Sequence, residues 1–404
     1  MNESQTAREM GIMQGIPCPA DKRITLENWD RPPFNRWAFQ HVREILPTAL
    51  VSKGNGHIWS LRQLGMSFEH LQVTHPRNGL QRTVPEILQH TYTDGFIVIH
   101  GETIVYERYF NDMRLSSEHL SQSVAKSVTA SVCGILIGQG VIDRDAPLSA
   151  LIPELNQSGY ADACLRQVMD MRSGIRFEEE DYLDPQSDIA KIDRAAGWKP
   201  RHENSPSCVL DIPPTLPKAR EHGGYFEYRS IESDVMAWVM QRATGKRLAD
   251  LVSELLWQPI GAEFDANYTI DRGGYALACG GFNAALRDYA KVGLLYLRDG
   301  CGEVRQIVPE AWVQEIFNEG DCDAFTRCPR AEFWPRGAYK NKFWIRDIDR
   351  SQIMASGIFG QTIYVDKPKN MVAVKLSSYP DPVNYEFELD ELDMIDAIGK
   401  SLSE

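Results

Sequence analysis

The chain has 404 residues, 43% hydrophobic and 25% charged, the composition of an ordinary globular protein long enough for one two-lobed domain or two domains. Its net charge of −13 excludes a phosphate-backbone binder, which needs clustered Lys and Arg. No run of 18 apolar residues and no basic-then-apolar leader occurs, so neither a membrane span nor a secretory signal is expected.

Residues 1–85 are irregular and rich in Pro, Gly and Trp, with one helical stretch predicted at "RWAFQHVREIL" (36–46). From 95 to 110, "GFIVIHGETIVYERYF" places β-branched and aromatic residues on both sides of His100-Gly101-Glu102, a hairpin pattern. "HLSQSVAKSVTASVCGILIGQGVIDRD" (119–145) is a polar opening followed by a small and apolar run, a buried helix ending near Gly138 or Gly140. Further helices are predicted at 165–171, at 230–245 with a closing Gly245, and at 286–300. Between the first two, 175–227 is long, polar and proline-containing, and a loop of that length in a compact domain is functional or disordered. "FWIRD", "QTIYV" and "MVAVKLS" are strands, the last two joined by a turn at "DKPKN", and an amphipathic helix closes the chain. Strands at both ends with helices between them predict an α+β fold, an α/β sandwich whose antiparallel sheet is built from both chain ends, plus an inserted helical lobe. The expected organisation is a 1–85 extension packed on a catalytic domain at 86–404, with a helical lobe at about 121–300 and a sheet lobe at 86–120 and 301–404.

Chemistry concentrates at Ser123 and Lys126. Residues i and i+3 share a helix face, so the two side chains point the same way. A hydroxyl at a helix N-terminus sits where the macrodipole favours developing negative charge. The same dipole, with burial, disfavours an ammonium, so Lys126 is expected to have a lowered pKa and to act as a base. The alternative is structural: Ser123 as an N-cap and Lys126 reaching water along its aliphatic stem. Downstream, "YFEYRS" places Tyr228 and Ser230 just before a helix. "MASGIFGQTIYVD" (354–366) is a small-residue, glycine-containing strand against which a substrate carbonyl could lie.

As a set, in this order, these segments resemble the penicillin-recognising serine hydrolases, which share a Ser-x-x-Lys, a Tyr-x-Asn-like element and a Lys-Thr-Gly-like strand. Within that superfamily, "PPFNRWAFQHVREILPTA", "DYLDPQSDIA" and "SGIFGQTIYVD" are similar to the 6-aminohexanoate-dimer (nylon-oligomer) hydrolase branch and its class C β-lactamase-type carboxylesterase relatives. The resemblance covers about residues 30–380. It implies Ser123 as nucleophile, Lys126 as general base and Tyr228 as the proton relay to the leaving group. It also implies an oxyanion hole from the backbone N–H groups of Ser123 and Ile358, and substrate contacts from Tyr182, Ser230, Gly357 and Phe359. Three departures stand out: Ser230 replaces the amide of Tyr-x-Asn, Ala355 stands where many relatives carry a cationic or aromatic residue, and Phe359 stands where histidine is expected. The first two argue against antibiotic hydrolysis.

The implied activity is hydrolysis of an amide or ester of a small acyl compound through an acyl-serine. Acyl transfer from the same intermediate and a non-catalytic sensor or scaffold are the alternatives. The nine histidines form no zinc pattern, the eight cysteines no Cys-x-x-Cys pair, and no nucleotide fingerprint occurs, so neither metal nor cofactor is expected. The acidic stretch "FEEEDYLDP" reads as a solvated lid loop. The expected partner is a small-molecule substrate, with a homodimer allowed and neither nucleic acid nor membrane; the expected location is the cytoplasm.

Overall fold

The segment Thr93–His100 is buried along nearly its whole length, the signature of a strand covered on both faces. In the computed structural model, which describes residues 5–75 and 77–403, it lies inside an eight-stranded sheet. The strands are β1 (Arg62–Gln63), β2 (Thr93–His100), β3 (Thr103–Tyr109), β4 (Ala338–Lys340), β5 (Phe343–Asp347), β6 (Gln352–Gly357), β7 (Gln361–Asp366) and β8 (Met371–Ser377). Their order is β4-β5-β6-β7-β8-β2-β3-β1, so the two chain ends meet where β8 pairs with β2, as expected. All neighbours are antiparallel except the short edge strand β1, which runs parallel to β3. The predicted hairpin turns at Gly101, whose φ of 61° suits glycine.

Side-chain alternation splits the sheet into two cores. Ile97, Ile99, Val372 and Val374 face one, and Phe96, Val98, Met371 and Ala373 the other. Five helices position the site or cover these faces: α1 (Val124–Gly138), α2 (Asp188–Ala195), α3 (Ile231–Thr244), α4 (Leu286–Leu297) and α5 (Tyr385–Ser401). Helix α4 lies directly on the first face: a Cβ on its Gly293 would come within 2.5 Å of Val372 Cγ1. Helix α5 covers the second face with Leu392, Ile395 and Ile398. Gly245 ends α3 in the left-handed conformation at φ 67°, as its position predicts.

Two local expectations fail. The helix expected over 36–46 survives only as Asn35–Ala38 and a 3₁₀ turn at Val42–Glu44. The Phe39 carbonyl, which a continuous helix would need, instead accepts the Leu120 N–H at 2.8 Å. Second, the polar stretch 175–227 contains α2, whose Ser187 cap accepts the Ala190 N–H and which buries Ile189, Ile192 and Ala195.

Residues before the sheet are tied into the fold rather than loosely appended. Thr48–Val51 pairs with Ala266–Thr269 in a separate four-stranded sheet. The Trp29 indole donates to the Trp198 carbonyl at 2.7 Å, and the Asn35 amide to the Tyr379 carbonyl at 2.7 Å. Residues 1–4 of the expected extension lie outside the described residues. Among the described residues, no helix is long and apolar enough to cross a membrane.

Candidate active site

The two-residue strand His119–Leu120 delivers the chain to α1. Ser121 anchors this approach, its N–H and hydroxyl both donating to the Phe282 carbonyl at 2.9 Å. Gln122 then takes φ 49°, a left-handed conformation costing a non-glycine residue roughly 1–2 kcal/mol. This sharp turn puts Ser123 at the start of α1, on the wall of a cavity of about 250 Å³.

Ser123 makes no side-chain cap bond to the helix. Its hydroxyl instead lies 2.7 Å from Lys126 Nζ, which also donates to the Cys279 carbonyl at 2.6 Å. Lys126 is 1% exposed, so its amine does not reach water. Both features of the structural alternative are therefore absent from this pair. Nζ lies 5.0 Å from the centre of the Tyr228 ring, close enough for a cation–π contact. Tyr228 is held from behind by Trp344, stacked at 5.4 Å, and by the edge of Tyr339 at 6.2 Å. Three side chains from α1 and from the approach to α3 thus converge.

The electrostatics of the lysine differ from expectation. Burial pushes the Lys126 ammonium toward the neutral form, as anticipated, but Tyr228, Cys279 and Glu179 together outweigh it and hold the pKa above the usual lysine value. The correction has a clear cause: all three acidic groups come from distant segments.

The far wall is the end of β6. A Cβ built on Gly357 would lie 2.5 Å from the Ser121 carbonyl oxygen and 2.9 Å from the Ser123 nitrogen, so backbone packs against backbone and only glycine fits. Ile358 follows directly and lines the cavity beside Ser123. Phe359 also lines it, in a left-handed conformation at φ 63°. Its ring sits edge-on to Phe39 at 5.2 Å, and its N–H donates to the Pro382 carbonyl at 2.8 Å.

Tyr182 and Ser230 reach the same cavity, but through a residue the sequence reading passes over. Both Ser230 groups, amide and hydroxyl, donate to the carboxylate of Glu179, and the Tyr182 hydroxyl donates to it at 3.0 Å. Glu179 is 7% exposed, so this part of "FEEEDYLDP" is not solvated as expected, although Glu178 and Glu180 are. Burial raises the Glu179 carboxyl, opposed by Lys126 and by the donors on Ser230 and Tyr182. No local pattern separates Glu179 from its acidic neighbours; only the tertiary contacts do.

Other contributors were also invisible in the sequence. Asp30, Arg31 and Pro32 of the N-terminal segment form part of the rim, and Lys199 pairs with Asp30. Asp193, on α2, lines the cavity with its carboxyl pushed up to about 7, first by burial and then by Asp30 and Glu179. Ala355 brings no cation, but Arg330 does: it contacts the Ser356 hydroxyl at 3.3 Å while paired with Glu388 at 2.8 Å. A larger recess of about 690 Å³, lined by Trp59, Arg62, His100 and Arg298, lies at the opposite end of the strands, by the β2–β3 turn. Among the described residues, no group of His, Cys, Asp and Glu is arranged to hold a metal.

Comparison with known proteins agrees with this geometry. The profile of the family described as Beta-lactamase matches residues 80–395. The chain belongs to the β-lactamase family. It is 34% identical over 379 residues to the 6-aminohexanoate-dimer hydrolase of Paenarthrobacter ureafaciens, covering 93% of this chain and 92% of that one. A solved structure from Bacillus anthracis, provisionally named a 6-aminohexanoate-dimer hydrolase, superposes with a TM-score of 0.87 at 29% identity over 95% of this chain and 98% of that one. At 14% identity, EstCE1, a hydrolase with promiscuous acyltransferase activity, shares the fold with a TM-score of 0.59 over 78% of this chain and 98% of that one. The β-lactamase-like fold and serine-hydrolase class expected from the sequence are confirmed.

Proposed function

We propose that this β-lactamase-family hydrolase opens a linear amide or ester of a small acyl compound at Ser123, with an ω-amino-acid amide of the 6-aminohexanoate-dimer type as the first substrate class to test. The observation that carries the reading is the buried Lys126 amine, 2.7 Å from the Ser123 hydroxyl and 5.0 Å from the centre of the Tyr228 ring.

In the reactive form Lys126 Nζ is neutral and accepts the Ser123 proton as Oγ attacks the carbonyl carbon. The oxyanion forms between the Ser123 and Ile358 N–H groups, held together by the close contact at Gly357; one such donor contributes about 3–4 kcal/mol. Tyr228 gives its proton to the departing amine or alkoxide and recovers one from Lys126, so the serine proton ends on the leaving group. Water then attacks the acyl-serine by the reverse relay. Because the surrounding acids hold the proton on Lys126, the reactive fraction grows with pH, and kcat/KM rises toward the alkaline side.

Within this reading, residues 86–404 form the catalytic domain and 1–85 an extension that completes the pocket rim through Asp30, Arg31 and Pro32. Tyr182 and Phe359 shape the acyl pocket, with Ser230 acting through Glu179. Asp193 gives the pocket an acidic group suited to a substrate ammonium. A cytoplasmic location and a homodimer complete the proposal; size-exclusion chromatography with light scattering tests the latter.

The deciding experiment is a substrate panel: 6-aminohexanoate dimer, short-chain p-nitrophenyl esters and nitrocefin. Turnover of the linear amide and esters with little on nitrocefin is expected. Fast nitrocefin turnover without amidase or esterase activity would overturn the assignment. Acyl transfer is read from product partitioning with added alcohols or amines.

A further inference from the structure

One carboxylate in the site has no role in the relay just described, yet it holds two of the side chains that line the cavity. Glu179 accepts hydrogen bonds from the Ser230 amide, the Ser230 hydroxyl and the Tyr182 hydroxyl. These donors come from the start of α3 and from the loop that precedes α2. Ser230 stands where the resemblance expects a side-chain amide, so a short hydroxyl plus an incoming carboxylate occupies that place.

We propose that Glu179 is a positioning residue of the serine–lysine site: it fixes Ser230 and Tyr182 on one acceptor, and its buried negative charge is a counter-ion of Lys126. The inference rests on the serine–lysine reading above and extends it to the proton balance of the lysine. A fully desolvated ammonium needs a nearby anion to persist, and within hydrogen-bond or Coulomb range Lys126 is faced by Tyr228, Cys279, Glu179, Asp234 and Lys342. The Cys279 thiol is pushed well up by burial, Tyr228 enters the relay carrying its proton, and Lys342 is a second amine, lowered to about 8 by burial. The Asp234 carboxyl is pushed up to about 7 by burial and accepts the Ala278 N–H. Burial raises the Glu179 carboxyl as well, but both its oxygens accept hydrogen bonds, from Ser230 and Tyr182, and these donors and Lys126 pull it back toward the ionised form. On its own side Glu179 is faced by Lys126, Tyr182, Asp193, Cys279 and Tyr339, and Lys126 is the cation among them.

The arrangement makes a specific demand on pH dependence. Replacing Glu179 by Gln removes the anion and keeps a side chain of the same shape. The lysine then loses its proton more easily, and the rising limb of Ser123 reactivity moves to lower pH by about 1 unit. The test measures the rate of Ser123 labelling by a fluorophosphonate from pH 5 to 10 on the full-length protein. The variants are Glu179→Gln, Glu179→Asp and, as a charge control, Glu180→Gln at the exposed neighbour. Glu179→Gln should shift the limb acidward and Glu180→Gln should leave it in place. Glu179→Asp retains the anion one methylene back, so it should leave the limb in place while raising KM several-fold, since Ser230 and Tyr182 lose their shared acceptor. An unmoved limb in Glu179→Gln, or an equal shift in Glu180→Gln, refutes the counter-ion role. If the Gln variant fails to fold, the Asp variant decides: a limb shifted acidward there overturns the proposal. Failure of the parent protein to label at Ser123 would instead strike the serine–lysine reading itself.

Discussion

Substituting Gly357 by Ala probes the site without touching any ionisable group. The added Cβ would sit 2.5 Å from the Ser121 carbonyl oxygen, 2.9 Å from the Ser123 nitrogen and 3.1 Å from Gln122 Cβ. A carbon–oxygen contact settles near 3.3 Å or more, so β6 and the approach to α1 must separate by about 0.8 Å or more. Two of the three obstructing atoms are backbone, and Ser121 is pinned to Phe282 by two hydrogen bonds, so no side-chain rotation relieves the clash. The displaced peptide is the one bearing the Ile358 N–H, so the variant pulls one oxyanion donor away from the other. Misplacement by about 1 Å costs on the order of 10²-fold, and loss of a donor 10²–10³-fold. Overpacking costs roughly 1–3 kcal/mol of stability, leaving a folded protein. The assay is steady-state hydrolysis of a short-chain p-nitrophenyl ester, with a melting curve alongside. The expected result is a kcat lower by about two to three orders of magnitude, with KM nearly unchanged because the lost interaction belongs to the transition state. A folded variant with kcat within about threefold of the parent would refute the oxyanion assignment.

Three further outcomes follow from the same geometry. Lys126→Ala should lower acylation by about 10²–10⁴ at every pH near neutrality, measured by pre-steady-state bursts; a simple shift of the pH optimum contradicts its role as base. Tyr228→Phe should impair amide hydrolysis far more than p-nitrophenyl ester hydrolysis, because nitrophenolate departs without a proton; equal losses on both argue against the relay. Glu232, buried on α3 and bonded to Ser173, has its carboxyl raised from 4.5 to about 7 by burial, against the pull of Lys342 and Arg229. The folded state therefore binds more protons than the unfolded one between those values, and stability falls as pH rises through that window. Glu232→Gln cannot ionise, so relative to the parent it should gain about 3 kcal/mol between pH 4.5 and pH 8 in urea unfolding. A pH-independent difference would show that Glu232 titrates normally.

The sequence revealed the parts of the site that depend on local spacing. Ser123 and Lys126 are one helical turn apart, and Gly357 lies in a run of small residues closing a strand, so both could be read without coordinates. The strands at 93–109 and 343–377 announced themselves by β-branched runs, and α3 by its terminal Gly245. What stayed hidden depends on distant partners. The helix expected over 36–46 breaks because Leu120, some eighty positions away, takes the Phe39 carbonyl. Glu179 looks like its solvated neighbours until Ser230 and Tyr182 close over it. The direction of the Lys126 shift went the other way because burial was foreseeable from the apolar helix, whereas Tyr228, Cys279 and Glu179 arrive from three separate segments. Helix α2 carried a usable signal in Ser187 and the spacing of Ile189 and Ile192, outweighed by the polarity around it.

The most direct measurement is active-site labelling of the intact protein with a fluorophosphonate, followed by peptide mapping. One adduct on Ser123 is predicted, abolished in a folded Ser123→Ala variant together with all turnover. An adduct on another residue, or near-normal turnover by that variant, would contradict the claim that the Ser123–Lys126 pair is the catalytic centre.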